Sequence, residues 1–467
     1  MSAERFGFLQ AAIGYMTLLV VLSSSLMLGA NRPASWMFLA FVVLFLFGFQ
    51  LIYGLMTPSP VPARRTLWPA VIFLCVVVWA GVQTLGGMPA GVAHPFWDFV
   101  PDGARSISAD PGQGMHGILR YLCYGMVFMI AVHAASSPVT AARMLRGIAV
   151  FSTLLAIYGF YAFVTGNNPI LEQAATSGLV QASFVNRNNY ATYAVFGTLA
   201  NVAAYLHVTQ GPRGGRDGWL ARLRDLLEGF YGGAWLYAFG VILCVGAVSL
   251  SQSRGGALAG LVGLFVFARV WQGRNRNKDW LLAAVLIGLV VFVAFTSATG
   301  LAQRLLASGD EEGRFIVFPA IVAGIADRPI LGHGLGAFHD AFRPYLPAEG
   351  ATGEWIRAHN SYLENAFELG LPAALALYAA LFIILRRLWR GAHHRHRHRV
   401  FSTFAIACVA VAAVHSMFDF SLQMPATAAL FAMILGMGFA QSFREDELTF
   451  SKRRSGSRRH SKRNKTV

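Results

Sequence analysis

Charge is scarce in this sequence: Asp, Glu, Lys and Arg make up 13% of its 467 residues, against 55% hydrophobic ones. That balance excludes a soluble globular protein, because the apolar residues gather into runs of about 20, the length a helix needs to span a bilayer. Cysteine is scarce too. The four present, Cys75, Cys123, Cys244 and Cys408, all lie inside apolar runs without metal-ligand spacing, so they read as small packing residues and not as disulfides or a zinc site. Also missing are a paired Asp-x-Asp, an HExxH and a P-loop pattern, so the sequence requires no divalent metal, nucleotide or other cofactor. Acidic residues, 22 against 38 Lys and Arg, leave a net charge of +16. The basic residues sit in short loops and a tail, where membrane orientation and lipid contact explain them more simply than nucleic acid does.

What is there in quantity is the bilayer-length run. Twelve spans are expected, at 8–28, 35–56, 67–86, 117–135, 146–165, 189–208, 234–252, 255–272, 280–298, 361–385, 400–418 and 426–442. The first is too long for a signal-peptide core and no small-residue cleavage site closes it, so it is expected to stay. With the N-terminus inside, the cytoplasmic segments hold about three quarters of the 38 Lys and Arg, which favours both termini cytoplasmic over the inverse. The expected organisation is one transmembrane domain over residues 1–442, with a large periplasmic loop at 299–360 between spans nine and ten. A basic, disordered cytoplasmic tail follows at 443–467. The run His393-His394-Arg395-His396-Arg397-His398-Arg399 could bind metal, but beside a span it reads better as an anchor to anionic lipid.

In this topology the unusual charged residues share the outer face. Arginine at the mouth of apolar helices is costly unless it meets an anion or a water-filled cavity, so such residues are functional candidates. Arg187, among Asn186, Asn188 and Asn189 at the start of span six, either holds a phosphate with help from the helix N-terminus or snorkels to headgroups beside asparagine caps. Arg254, between Ser253 and Gly255, either meets a ligand that the glycines let approach or decorates a hairpin tip. Several arginines on one side match a diphosphate, because each guanidinium fork pairs with phosphate oxygens. In the long loop, residues 314–326 read as an interfacial apolar helix headed by Arg314, followed by a glycine-rich turn. His359 stands beside Arg357 at a helix start, with Glu364 and Glu368 at helical spacing behind it. It is a proton shuttle near neutral pH or, with Asn360, a simple cap. Asp419 orients a basic residue or faces water; His333 and His339 read as structural.

Taken in order, FVNRNNYATYA (184–194), SLSQSRGGALAG (249–260), GRFIVFPAIVAGIADRPILGHGLGAF (313–338), AHNSYLENAFELGLP (358–372) and, more weakly, VHSMFDFSLQMP (414–425) resemble the O-antigen ligase and polymerase superfamily of bacterial membrane glycosyltransferases. The resemblance covers roughly residues 100–440. It implies an all-α, polytopic, lipid-donor (GT-C-like) fold in the bacterial inner membrane. It also implies metal-free transfer of a glycan from undecaprenyl diphosphate to an acceptor, either another glycan or lipid A-core, at the periplasmic face. By the same resemblance Arg187 and Arg254 match diphosphate-binding arginines, Arg314 a recurrent arginine, and His359 the histidine near the acceptor. Ligase and polymerase are not separated by these motifs. A flippase or transporter of lipid-linked sugars is the alternative; such proteins often carry internal repeats and midplane charges, whereas here no repeat is found and the candidate charges lie on one face.

Overall fold

The structure, a computed structural model, describes residues 3–56, 63–100, 102–171, 173–174, 179–209, 233–272, 310–347, 354–394 and 398–443. The expected ninth span, 280–298, and the tail from 444 lie outside the described residues. Apolar segments of this length form helices because in hydrocarbon every backbone N–H and C=O must be satisfied within the segment. Among the described residues they are α1 (Ala3–Ser24), α2 (Pro33–Met56), α3 (Ala63–Thr84), α4 (Pro111–Ala134), α5 (Pro138–Thr165), α6 (Arg187–Thr209), α7 (Trp235–Leu250) and α8 (Arg254–Gln272). After them come α9 (Asp310–Asp327), the short α10 (Phe338–Phe342), α11 (Ser361–Leu369), α12 (Leu371–His394), α13 (Arg399–His415) and α14 (Pro425–Gln441). Seven described helices, α1 to α5, α8 and α12, are long and apolar enough to cross a membrane. Apart from one strand pair, Asn167–Asn168 with Gln173–Ala174, the regular structure among the described residues is helical, and the chain is a polytopic membrane protein. Starts are set by capping: Asp110 accepts from the Gln113 N–H ahead of α4, and Ser137 from that of Thr140 ahead of α5, each followed by a proline.

The expected tenth span is corrected. It is not one helix over 361–385 but two, because Gly370 has φ +79 and parts α11 from α12. A Cβ there would collide with the Ile330 carbonyl oxygen. Thus Glu364 and Glu368 belong to a nine-residue helix ahead of the apolar span Leu371–His394. The packed part also reaches one residue into the expected tail: Phe443 is buried, with the Arg387 guanidinium 4.0 Å from its ring centre.

Three helices position the candidate site. A Cβ on Gly256 of α8 would sit 2.6 Å from Ala191 Cβ of α6, one on Gly260 3.0 Å from Val195 Cγ2, and one on Gly263 3.4 Å from Leu199 Cδ1. The partners advance in step along both chains, so α6 and α8 run parallel. Small residues let their backbones approach closely, as at helix interfaces in bilayers. α13 lies antiparallel against α8, with Gly263 at Val411 and Gly255 at His415. The N-termini of α6 and α8, which carry Arg187 and Arg254, therefore lie side by side at the end of the bundle where α13 stops.

The loop between α9 and α11 is stitched to the helices below it. Gln83 of α3 donates to the carbonyls of Leu331 and Glu368 and accepts from the Leu335 N–H. Trp79 donates to the Leu369 carbonyl. Arg328 donates to the Val92 and Ala93 carbonyls of the loop between α3 and α4 (2.8 and 3.1 Å). The glycine-rich turn fits beneath because Gly332 and Gly334 adopt positive φ against the backbone of Glu368 and Ser108, where no Cβ has room.

Candidate active site

The organising element is the turn 415–421, which follows α13 and touches every other part. On one face His415 Nδ1 lies 3.0 Å from Thr192 Oγ1 and 2.9 Å from Ser421 Oγ, and Ser421 Oγ donates to Asn189 Oδ1 (3.0 Å). On its other face the turn is zipped to the start of α11. The Ser361 N–H donates to the Ser416 carbonyl (2.9 Å), Ser361 Oγ to the Asp419 carbonyl (3.2 Å), and Asn360 Nδ2 to the Met417 carbonyl (3.2 Å).

Arg187 is the first residue of α6. Asn186 caps it, accepting the Asn188 N–H at 2.7 Å. The half-buried Arg187 guanidinium forms no hydrogen bond or ion pair with the described residues, while the Asn188 side chain stays half-buried beside it. Arg254 is the first residue of α8 and exposed; Ser253 caps that helix, its Oγ accepting the Gly256 N–H (3.2 Å). The serines and glycines thus do the turn work of a hairpin tip, and Arg254 projects from it. Two parallel helix N-termini add their partial positive charge to the two guanidiniums.

His359 has φ +52, a left-handed backbone that a non-glycine residue adopts at a cost. Its neighbour Asn360, not His359, is the cap, accepting the N–H groups of Tyr362 and Leu363 at 3.0 Å each. The imidazole, 23% exposed, packs edge-on against Phe420 and Trp355, and its Nδ1 lies 3.9 Å from Asp419 Oδ1. Asp419 does not face water. It is 1% exposed; Oδ1 accepts the Phe420 N–H at 2.7 Å, and Oδ2 is buried without a hydrogen-bond partner among the described residues. A buried carboxyl group with spare acceptor capacity thus lies beside the imidazole.

Behind His359 the loop is held by Glu364, 0% exposed, which accepts from Arg357 Nη1 (3.0 Å) and the Ala358 N–H (2.8 Å). Arg357 is therefore committed to that carboxylate. Glu368 accepts the Phe338 N–H (3.2 Å); its pKa is pushed up to about 7, chiefly by burial and then by the charge of Glu364. Arg314 lies in the second turn of α9, and its side chain is outside the described residues. The site residues that sequence reasoning passed over are Thr192, His415 and Ser421; the signal was a histidine ending an apolar span in the motif that looked weakest.

His333 and His94 form a strut beneath the loop. The Phe96 N–H donates to His94 Nδ1 (3.1 Å), His94 Nε2 lies 2.9 Å from His333 Nδ1, and His333 Nε2 is 2.9 Å from the Gly324 carbonyl. A carbonyl can only accept, so both rings are satisfied as neutral Nε2–H tautomers. Burial is the main cause that lowers their pKa values, to about 3 for His94 and about 4 for His333. Because these folded-state values lie below 6.5, stability from the strut is complete above pH 6.5 and lost as pH falls toward 4. Glu368 has the opposite sign, losing stability as pH rises from 4.5 through about 7. The expected result is that thermal melts of wild type lose more stability between pH 6.5 and 4.5 than those of a His94→Asn, His333→Gln variant; parallel curves would dismiss the strut.

Residues 239–378 match the family model described as O-antigen ligase. The match supports the likeness of this stretch to the O-antigen ligase and polymerase superfamily. The family stretch contains α8 with Arg254, α9 with Arg314, and the turn bearing His359 and Asn360, while Arg187 and the 415–421 turn lie to either side of it. No curated protein matches the chain.

Proposed function

We propose that the protein transfers a glycan from undecaprenyl diphosphate to an acceptor sugar hydroxyl at the periplasmic face of the inner membrane, as an O-antigen ligase or an O-antigen or exopolysaccharide polymerase. The acceptor is lipid A-core in the first case and another glycan in the second. The observation that carries this reading is the convergence, around the 415–421 turn, of two arginines on parallel helix N-termini with a histidine backed by a buried carboxylate.

In the proposed reaction the bond from the sugar anomeric carbon to the diphosphate oxygen breaks, and its electron pair leaves with the diphosphate. Arg187 and Arg254, with Arg314 as a third candidate, stabilise the developing charge together with the helix N-termini, without metal or cofactor. His359 takes the proton of the attacking hydroxyl as the new glycosidic bond forms, and Asp419 holds the resulting imidazolium. No carboxylate nucleophile is needed, so a single displacement inverts the anomeric centre.

The wider architecture proposed with this chemistry has about twelve spans in a GT-C-like arrangement. Both termini are cytoplasmic, and one membrane domain, with the periplasmic loop 299–360 within it, is followed by a basic cytoplasmic tail from residue 444.

The test is purified protein in detergent with a synthetic lipid-linked glycan donor and acceptor. Conversion is expected, since an enzyme has no membrane to cross; a flippase would leave the donor unchanged. Deleting the gene then assigns the type: long lipid-linked polymer accumulates if a ligase is lost, single repeat units if a polymerase is lost.

A further inference from the structure

His415 takes no part in the proton transfer or phosphate contacts proposed above, yet it is 1% exposed at the point where three helices meet. Its hydrogen-bond network runs through two hydroxyls. Ser421 Oγ reaches Asn189 Oδ1 (3.0 Å), and Thr192 Oγ1 reaches Ser421 Oγ (3.0 Å) and the Asn188 carbonyl (3.4 Å). His415 Nδ1 is within hydrogen-bond distance of both hydroxyls, and either tautomer of the ring is held by them. This ties the ring to the first turn and a half of α6. The opposite edge of the ring meets α8: a methyl built on Gly255 would stand 3.3 Å from Nε2 and 3.4 Å from Cδ2. Gly255 adjoins Arg254, and Asn189 lies two residues from Arg187. One imidazole thus fills the gap between the two helix starts that carry the arginines.

We propose that His415 is a positioning residue, a rigid spacer that sets the separation of the α6 and α8 N-termini and thereby fits the Arg187 and Arg254 guanidiniums to the two phosphoryl groups of a lipid diphosphate. This rests on the reading of those arginines as the diphosphate pair. An imidazole suits the task because it is planar and inflexible, is bonded at Nδ1, and packs its other edge on a glycine backbone. A side chain that merely fills space would let the helix starts drift, and misplacing binding groups by about 1 Å is costly.

The experiment measures KM for a lipid-diphosphate donor and, separately, for the acceptor, in detergent-purified variants with unchanged melting temperature. His415→Ala is expected to raise donor KM by about ten-fold or more, equivalent to about 1.4 kcal/mol, with acceptor KM unmoved. His415→Asn, whose amide offers both a donor and an acceptor to the same hydroxyls, is expected to recover most of the loss. Gly255→Ala, which presses on the ring from the α8 side, should raise donor KM while leaving the imidazole intact. Equal behaviour of Ala and Asn, or equal rises in both KM values, overturns the proposal. Arg187→Ala and Arg254→Ala are measured alongside. If they leave donor KM and kcat unchanged, the diphosphate reading itself fails; if they act and His415→Ala and Gly255→Ala do not, only the spacer role fails.

Discussion

His359→Ala is expected to abolish glycan transfer while the protein still inserts and accumulates in the membrane. General acid–base groups contribute roughly 100- to 10,000-fold to rate, so the expected loss removes detectable product from the membrane fraction. Two effects have to be separated, because His359 sits at φ +52, a left-handed backbone that histidine and asparagine adopt more readily than alanine does. Asparagine tolerates the left-handed region and offers no base. His359→Asn is therefore expected to match wild type in melting temperature and to match His359→Ala in lost transfer. Product at wild-type level from the asparagine variant would remove His359 from the chemistry. Asp419→Asn, which keeps the shape and discards the charge beside the imidazole, should fall between them.

Arg187→Ala and Arg254→Ala are each expected to reduce donor turnover by about 100- to 1,000-fold, the scale seen when one donor to a developing anion is removed. Lysine restores little at either position, since a point charge does not reproduce the two-pronged fork that grips phosphate oxygens. The two effects should be non-additive, because guanidiniums that share one diphosphate fail together once either is gone. Initial rates with the lipid-linked donor check this, and wild-type rates from both single variants would remove the pair from the diphosphate site. Arg187 is the sharper test: its side chain has no hydrogen-bond or ion-pair partner among the described residues, so its removal breaks no bond to them.

Much of this was legible in the chain itself, for identifiable reasons. Membrane helices announce themselves as unbroken apolar runs, and an arginine or histidine at the mouth of such a run stands out against them. Arg187, Arg254 and His359 were visible on that ground. What could not be read is what depends on a distant partner. The break at Gly370 is an exception, passed over although Gly370 and Pro372 together mark a helix stop and restart, and the clash with Ile330 shows why the chain must turn there. Asp419 looked as suited to water as to burial until the 415–421 turn folded against Ser361 and Asn360. Arg357 resembled one more free cation beside His359, and its pairing with Glu364 crosses seven residues that include a turn. Gly256 and Gly260 of α8 mark a contact face, but their periodicity alone does not name α6 as the partner.

The stitching of the loop between α9 and α11 limits how acceptor choice can be tested by exchanging segments. A natural way to ask what decides the acceptor is to swap the 299–360 segment between relatives as a cassette. Here that segment is not a cassette: its turn is held by Gln83 from one helix, by backbone from the 92–93 and 108–109 stretch, and by the end of α11. A chimera that imports the loop without those anchors exchanges a bonded seam for an unmatched one, and its inactivity would report misassembly and not acceptor choice. Grafts that ask the question cleanly carry residues 79–110 and 310–371 together.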